Sequence, residues 1–160
     1  MVQTYKTNVA IRSDSKTLNR FRKECMSKDG LGRAVFDFEK VRPRNGRSEI
    51  RAWGCDSSVL NYEHIIDSTD EILFAFETES YAPILVLFKF YTSFRKASIC
   101  VRFVNSSITE GGYFFRNVSG KLDTGSFQTL SRESSTEVFA LMALYHQLWA
   151  DLTDNLSLLN

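Results

Sequence analysis

EILFAFET, residues 71–78, is the stretch that decides the fold class. Ile72, Phe74 and Phe76 alternate with two further apolar residues, so both faces of an extended chain would be apolar here. A strand that buries both faces lies inside a sheet rather than at its edge. The sequence therefore predicts a central β-strand at this position.

The chain before this strand carries both strand and helix patterns. Residues 4–12 alternate as a half-buried strand does, and Ser13 or Asp14 can cap the amphipathic helix that follows and ends near Gly30. Two further short strands are predicted before the central one, at residues 35–38 and 49–53. The segment 56–68 has no clear period and is expected to be irregular.

The chain after this strand predicts a second helix and further strands. Pro83 is tolerated in the first turn of a helix, and the residues after it form a wide apolar stripe. Ser134 and Glu137 have the spacing of a capping box, which opens an amphipathic C-terminal helix. In order, we expect a helix over 84–94, a strand over 97–104, a turn at Gly111 and Gly112, a strand over 113–118, a polar loop over 120–135 and a helix over 136–152.

These elements predict an α+β fold of the ferredoxin-like type. The order strand, helix, strand, strand, helix, strand is the split βαβ arrangement (βαββαβ), an antiparallel sheet with two helices on one face. A chain of 160 residues is long enough for one core. We expect a single domain over residues 1–160, made of a ferredoxin-like core (4–104), an extra strand and polar loop (105–135) and a C-terminal helix (136–152).

Composition narrows the classes of function. The net charge of +1 and pI near 7.7 lack the overall positive charge of a dedicated duplex-DNA binder. The three cysteines form no CxxC pair, which favours reduced thiols in a cytoplasmic protein over a disulfide scaffold or a zinc site. No stretch has the length and apolar character of a signal peptide or a membrane span. We therefore expect a cytoplasmic protein with no membrane partner, no cofactor and no metal.

Four segments resemble, in order, the motifs of the YubB-type ferredoxin-like domain family, which is found on plasmids, phages and other bacterial mobile elements. They are FDFEKVRP (36–43), RAWGCD (51–56), LFAFETESYAP (73–83) and ITEGGYFFRNVSG (108–120). The resemblance covers residues 8–120 approximately. It implies a small accessory protein of a mobile element, and we expect this protein to be non-enzymatic and to bind another protein, such as a host or defence component.

Four residues at the positions of these motifs are the candidate partner-binding site. Trp53, Asp56, Glu110 and Tyr113 are expected to meet at one end of the sheet. Trp53 and Tyr113 are large amphipathic side chains of the kind that anchors protein interfaces. The alternative, that they close the core, remains open at this point.

A basic region supports a different hypothesis, a module that binds single-stranded nucleic acid. Phe38 and Trp53 would supply stacking surface next to it. Its members are Lys40, Arg42, Arg44, Arg47 and Arg51. The alternative for these residues is a solvated loop that keeps an edge strand from pairing.

A third hypothesis is a small hydrolase or transferase centred on His64 and Glu63. An acid and a base in one loop can serve proton transfer if they converge with Asp56 or Cys55. Neither His64 nor His146 has a ligand-spaced partner, and no catalytic residue is assigned.

Overall fold

The computed structural model describes residues 2–107 and 109–116, together with the backbone of Leu122–Gln128. These residues form an α+β fold. The elements, in chain order, are β1 (Thr4–Arg12), α1 (Ser15–Cys25), β2 (Met26–Lys28), β3 (Ala34–Phe36), α2 (Phe38–Val41), α3 (Glu49–Trp53), β4 (Leu60–Asp67), β5 (Glu71–Glu79), α4 (Ile84–Ser93), β6 (Ser98–Asn105), β7 (Glu110–Arg116) and β8 (Leu122–Gln128).

An antiparallel sheet of six strands organises the fold. Its order is β4-β5-β1-β6-β7-β8, and every neighbouring pair is antiparallel. β5 and β1 lie inside the sheet, which confirms the interior position predicted from residues 71–78. Val9 of β1 faces Phe74 of β5 on one side and Val101 of β6 on the other. Residues that face each other in this way share one face of the sheet.

The face that carries Val9, Phe74 and Val101 packs against the helices. All four helices contribute buried side chains to the core on this side. Phe21 of α1 stands at its centre, with its ring centroid 5.6 Å from that of Phe90 and 6.1 Å from that of Phe74. This aromatic content was visible in the composition, since the chain has 13 Phe residues.

Helices α1 and α4 have well-defined ends. Asp14 caps α1 as predicted, because its Oδ1 accepts a hydrogen bond from the backbone N–H of Thr17 at 2.8 Å. The C-terminal end of α4 is held from the sheet. The buried guanidinium of Arg116 donates to the backbone carbonyls of Tyr91 at 3.0 Å, Ala97 at 3.2 Å and Phe94. The bond to Tyr91 satisfies a carbonyl group that the helix end leaves without a partner, and the other two bonds fix the turn after the helix.

Between α1 and β4 the structure differs from the expected strands. The first helix ends at Cys25 rather than near Gly30, and a small hairpin of β2 and β3 forms a second sheet. The strand predicted for 35–38 stops at Phe36 because Asp37 caps α2 by accepting from the N–H groups of Glu39 and Lys40. Residues 49–53 form a helix instead of a strand. A run of five residues shows too little periodicity to distinguish the two.

Three further expectations for the sheet are wrong. The segment expected to be irregular contains β4, an edge strand whose register shifts twice and whose side chains are mostly exposed, so its hydrophobic alternation is weak. Gly111 and Gly112 lie inside β7 rather than in a turn. β8 occupies part of the expected loop over 120–135. The helix predicted for 136–152 lies outside the described residues.

Replacing Phe21 with alanine tests the aromatic core. The ring is fully buried and contacts the rings of Phe36, Phe74, Phe90 and Phe94. Loss of a buried phenylalanine leaves a cavity, so we expect the free energy of unfolding to fall by about 3–5 kcal/mol, measured by urea denaturation. Leu31→Ala is the control, because Leu31 is 78% exposed. A loss below about 1 kcal/mol for Phe21→Ala would contradict the role assigned to this ring.

Candidate functional site

The four residues of the candidate partner-binding site lie in different surroundings. Trp53 is buried in the core at the end of α3. Its indole Nε1–H donates to the backbone carbonyl of Arg42 at 3.0 Å, and its ring meets that of Phe38 edge to face at 5.4 Å. The side chain therefore positions α3 against α2 rather than standing at the surface.

Tyr113 lies on the other face of the sheet from Trp53. In the β6–β7 pair, Tyr113 is opposite Arg102. The next residue of β7, Phe114, packs against the core on the helix side, and neighbouring residues of a strand point to opposite faces. Asp56 is exposed just after α3, and its N–H donates to the carbonyl of Glu79 at 3.2 Å. The geometry brings Glu110 to the helix side and leaves Tyr113 on the opposite side, so the four residues do not form one surface.

Glu110 instead lines an apolar groove at the N-terminal end of α4. The groove has a volume of about 440 Å³. Gly54 and Ile84 bring α3 and α4 together at its floor, since the backbone N–H of Ile84 is within 3.5 Å of where a Cβ on Gly54 would lie. The residues that line it are Ile50, Gly54, Tyr81, Ala82, Ile84, Phe103 and Glu110.

Exposed apolar side chains extend the groove along α4. Tyr81 is 55% exposed, Ile84 43% and Phe88 62%, and Leu85 lies beside them with 38%. Ile84 and Phe88 are one helical turn apart, so they share one side of α4. We call the groove together with Leu85 and Phe88 the α4 surface. A cluster of large exposed apolar residues of this kind marks interaction sites in many proteins.

The α4 surface arises because α4 is apolar on nearly all sides. Val86, Leu87 and Phe90 fill the core, while Ile84 and Phe88 on the opposite side remain exposed. The sequence pattern placed Ile84 and Phe88 in the same apolar stripe as the buried Leu87, and so it did not identify the α4 surface. The sequence feature that could have revealed the α4 surface is a helix with apolar residues on nearly all sides, because the core covers only one side of such a helix.

One acidic group lies at the end of this apolar groove. The carboxylate of Glu110 is hydrogen-bonded to the hydroxyl of Tyr5, which is buried. Burial, together with the nearby carboxylate of Glu110, raises the pKa of Tyr5 to about 12. Tyr5 therefore stays a neutral phenol at physiological pH, and the carboxylate supplies the negative charge at this site.

The basic region is largely occupied by contacts within the chain. The Nζ of Lys40 donates to the carbonyl of Met26 at 2.6 Å, and the Nε of Arg42 donates to that of Ala52 at 2.6 Å. Arg44 pairs with Glu39 and lies over the ring of Trp53, and Arg47 donates to the carbonyls of Arg44 and Pro43. Arg51 is exposed on α3. Arg42, Arg44 and Arg47 thus stabilise the loop between α2 and α3, and Lys40 ties α2 to the end of α1.

His64 and Glu63 do not converge with the residues proposed to work with them. Both lie on β4, where Glu63 faces Ala75 and His64 faces the buried Phe74, so their side chains project to opposite faces. The backbone N–H of Asp56 donates to the carbonyl of Glu79, at the far end of β5. Glu79 is five residues along this strand from Phe74, the residue opposite His64, which is a distance of about 17 Å. The geometry required for the hydrolase or transferase hypothesis is absent among these residues.

The three cysteines are buried packing residues rather than nucleophiles. Cys25, Cys55 and Cys100 are all buried and free. Burial raises the pKa of each thiol to about 12, so the thiolate needed for a nucleophile is scarce at neutral pH. Cys55 also donates its S–H to the carbonyl of Ser57 at 3.2 Å.

Among residues 2–107 and 109–116, no three His, Cys, Asp or Glu side chains are grouped as metal ligands would be. No helix in the described part of the chain has the length and apolar character to cross a membrane. Comparison of the chain with protein-family models, with curated proteins and with solved structures gives no match.

Replacing Gly54 with alanine tests the left-handed turn that ends α3. Gly54 ends α3 with a φ of +88°, a left-handed conformation that costs a residue with a Cβ about 1–2 kcal/mol. We expect the free energy of unfolding to fall by about that amount in urea denaturation. Gly30→Ala is the matched control, because a Cβ at Gly30 meets nothing within 4 Å. Equal stability of the two variants would refute this role for Gly54.

Proposed function

We propose that this protein is a non-enzymatic accessory protein of a bacterial mobile element, and that it acts by binding another protein through the α4 surface. The observation that carries the proposal is the exposure of Tyr81, Ile84 and Phe88 around a groove between α3 and α4. Aromatic and aliphatic anchors in a partly formed pocket are the usual centre of a protein interface. A host or defence protein in the cytoplasm is the proposed class of partner.

The setting on a mobile element rests on the resemblance to the YubB-type family, and the sheet is compatible with it. The order β4-β5-β1-β6, with α1 and α4 on one face, is the order expected of a ferredoxin-like core. We propose that these strands and helices are that core. The β2–β3 hairpin with α2 and α3 is then an insertion after α1, and β7 and β8 extend the sheet at one edge.

The chemistry of the α4 surface favours one kind of occupant, an apolar segment that carries a basic side chain. The floor of the groove is apolar, which suits aliphatic or aromatic side chains. Glu110 at its end would pair with a lysine or arginine of the partner, and the partial shielding of that site from water would strengthen the attraction.

The other two hypotheses receive less support from the geometry. The phosphates of a single-stranded nucleic acid would compete with the backbone carbonyls and the carboxylate that Lys40, Arg42 and Arg44 already contact. A hydrolase or transferase would need Glu63 and His64 on the same side of β4. Neither hypothesis explains the exposed apolar side chains of α4.

The test is recovery of a partner with variants of the α4 surface. The tagged full-length protein is used to isolate bound proteins from nuclease-treated bacterial lysate, and recovered proteins are quantified by mass spectrometry. Phe88→Glu places a charge in the centre of the proposed interface, so we expect recovery of the specific partner to fall at least about tenfold. Leu31→Glu is the matched control, since it adds the same charge at another exposed apolar residue.

The variant Glu110→Gln refines the same experiment. It removes the charge but keeps the shape of the side chain, so we expect less of the partner to be recovered than with the wild type. The difference between the two proteins should shrink as the salt concentration is raised. A partner that is recovered equally with Phe88→Glu and with Leu31→Glu would refute the α4 surface as its binding site. A partner that disappears on nuclease treatment would favour the nucleic-acid hypothesis instead.

A further inference from the structure

A second groove lies where the C-terminal end of α1 meets the β2–β3 hairpin and the end of β4. Its volume is about 400 Å³, which is within the usual range of sites for small molecules. We call it the lysine groove. The residues that line it are Arg22, Lys23, Met26, Ser27, Lys28, Ala34, Lys40 and Asp67. None of them belongs to the α4 surface.

The lining of the lysine groove is strongly positive. Four of its side chains are cations and one, that of Asp67, is a carboxylate, so the lining carries a net charge of +3. The whole chain carries a net charge of only +1. Positive charge is therefore concentrated at this groove, and a cleft lined by one sign of charge raises the local concentration of ions of the opposite sign.

The single carboxylate of the lining is already paired. Arg22 donates to Oδ1 of Asp67 from Nη2 at 2.5 Å and from Nε at 3.1 Å, and its Nη2 also donates to the carbonyl of Ser68 at 2.5 Å. These bonds fix the end of α1 to the turn between β4 and β5. Because Arg22 and Asp67 offset each other, the net positive charge of the groove is that of its three lysines.

The three lysines have different surroundings. The Nζ of Lys40 donates to the carbonyl of Met26 at 2.6 Å and to that of Lys23 at 3.3 Å, so it is held at the groove with one of its three N–H groups left. Lys23 and Lys28 are exposed, and within residues 2–107 and 109–116 neither ammonium group forms a hydrogen bond or ion pair. These two lysines can therefore bind a ligand without breaking a contact of the fold.

We propose that the lysine groove binds a small molecule that carries a di- or triphosphate, with Lys23 and Lys28 contacting the phosphates and Lys40 donating its remaining N–H. Lysine binds phosphate as a point charge, and a di- or triphosphate brings several negative charges into one groove. A nucleic-acid strand carries one charge per phosphate and distributes these charges along its length, so it matches three lysines around one groove less well. The proposal goes beyond the proposed function and does not depend on it, since the two sites share no residue.

Calorimetric titration of the full-length protein with inorganic tripolyphosphate, in magnesium-free buffer, tests the groove. Lys23→Gln and Lys28→Gln each remove one charged donor, so we expect each variant to raise the Kd at least about tenfold. Lys16→Gln is the matched control, because Lys16 is an exposed lysine of α1 that does not line the groove. We expect its Kd to equal that of the wild type. Circular dichroism checks that the variants are folded.

Three results of the titration would overturn the proposal. The first is no binding of tripolyphosphate. The second is an equal loss of affinity in Lys16→Gln and in the two groove variants, which would show attraction by overall charge alone. The third is tighter binding of a single-stranded oligonucleotide than of tripolyphosphate, weakened by the same two groove substitutions, which would assign the groove to nucleic acid. Phe88→Glu should bind tripolyphosphate as the wild type does, whatever its effect on recovery of a protein partner.

Nuclear magnetic resonance locates the site without any substitution. In the isotope-labelled full-length protein, tripolyphosphate should shift the backbone amide signals of Ser27, Lys28 and Ala34, which line the groove. The amide signal of Ile84, on the α4 surface, should stay in place. Shifts that are absent from the groove and confined to the loop between α2 and α3 would overturn the proposal.

Discussion

The contact between Phe21 and four other phenylalanine rings is the interaction on which the fold depends. Phe21 belongs to α1, and its neighbours belong to the β2–β3 hairpin, the sheet and the region of α4. Edge-to-face and stacked rings pack closely only in certain relative orientations, so the cluster restricts how α4 can turn about its axis. When Phe90 points into this cluster, Ile84 and Phe88 must point away from it. The exposed groove is thus a consequence of how the core is packed.

Strand β7 completes the placement of α4 from the sheet side. Arg116, at one end of β7, binds carbonyls at the C-terminal end of α4 and stacks on Tyr91. Burial lowers the pKa of Arg116, which reflects the cost of keeping the charge away from water, and the carbonyl oxygens offset that cost. Glu110, at the other end of the strand, lies beside the N-terminal end of the helix. One strand therefore holds the helix at its end and supplies the carboxylate of the groove.

The sequence predicts those elements whose hydrophobic pattern is long and regular. β1, β5 and α4 agree with their predicted ranges within a few residues, because each presents eight or more residues of one period. α3 was expected to be a strand, since five residues do not distinguish the two periods. β4 was missed because an edge strand with exposed side chains and shifted register has no apolar alternation. The candidate site depends on which side of α4 the core occupies, and that choice is made by Phe21 and Arg116, which are remote from α4 in sequence.

The most direct test of the account is a nuclear magnetic resonance titration of the protein, labelled at isoleucine methyl groups, with the partner recovered from lysate. Ile50 and Ile84 line the groove, whereas Ile65 and Ile66 are exposed to a similar extent on the edge strand β4. If the α4 surface binds the partner, the methyl signals of Ile50 and Ile84 will shift or broaden while those of Ile65 and Ile66 stay in place. Shifts at Ile65 and Ile66 with unchanged signals from Ile50 and Ile84 would contradict the account.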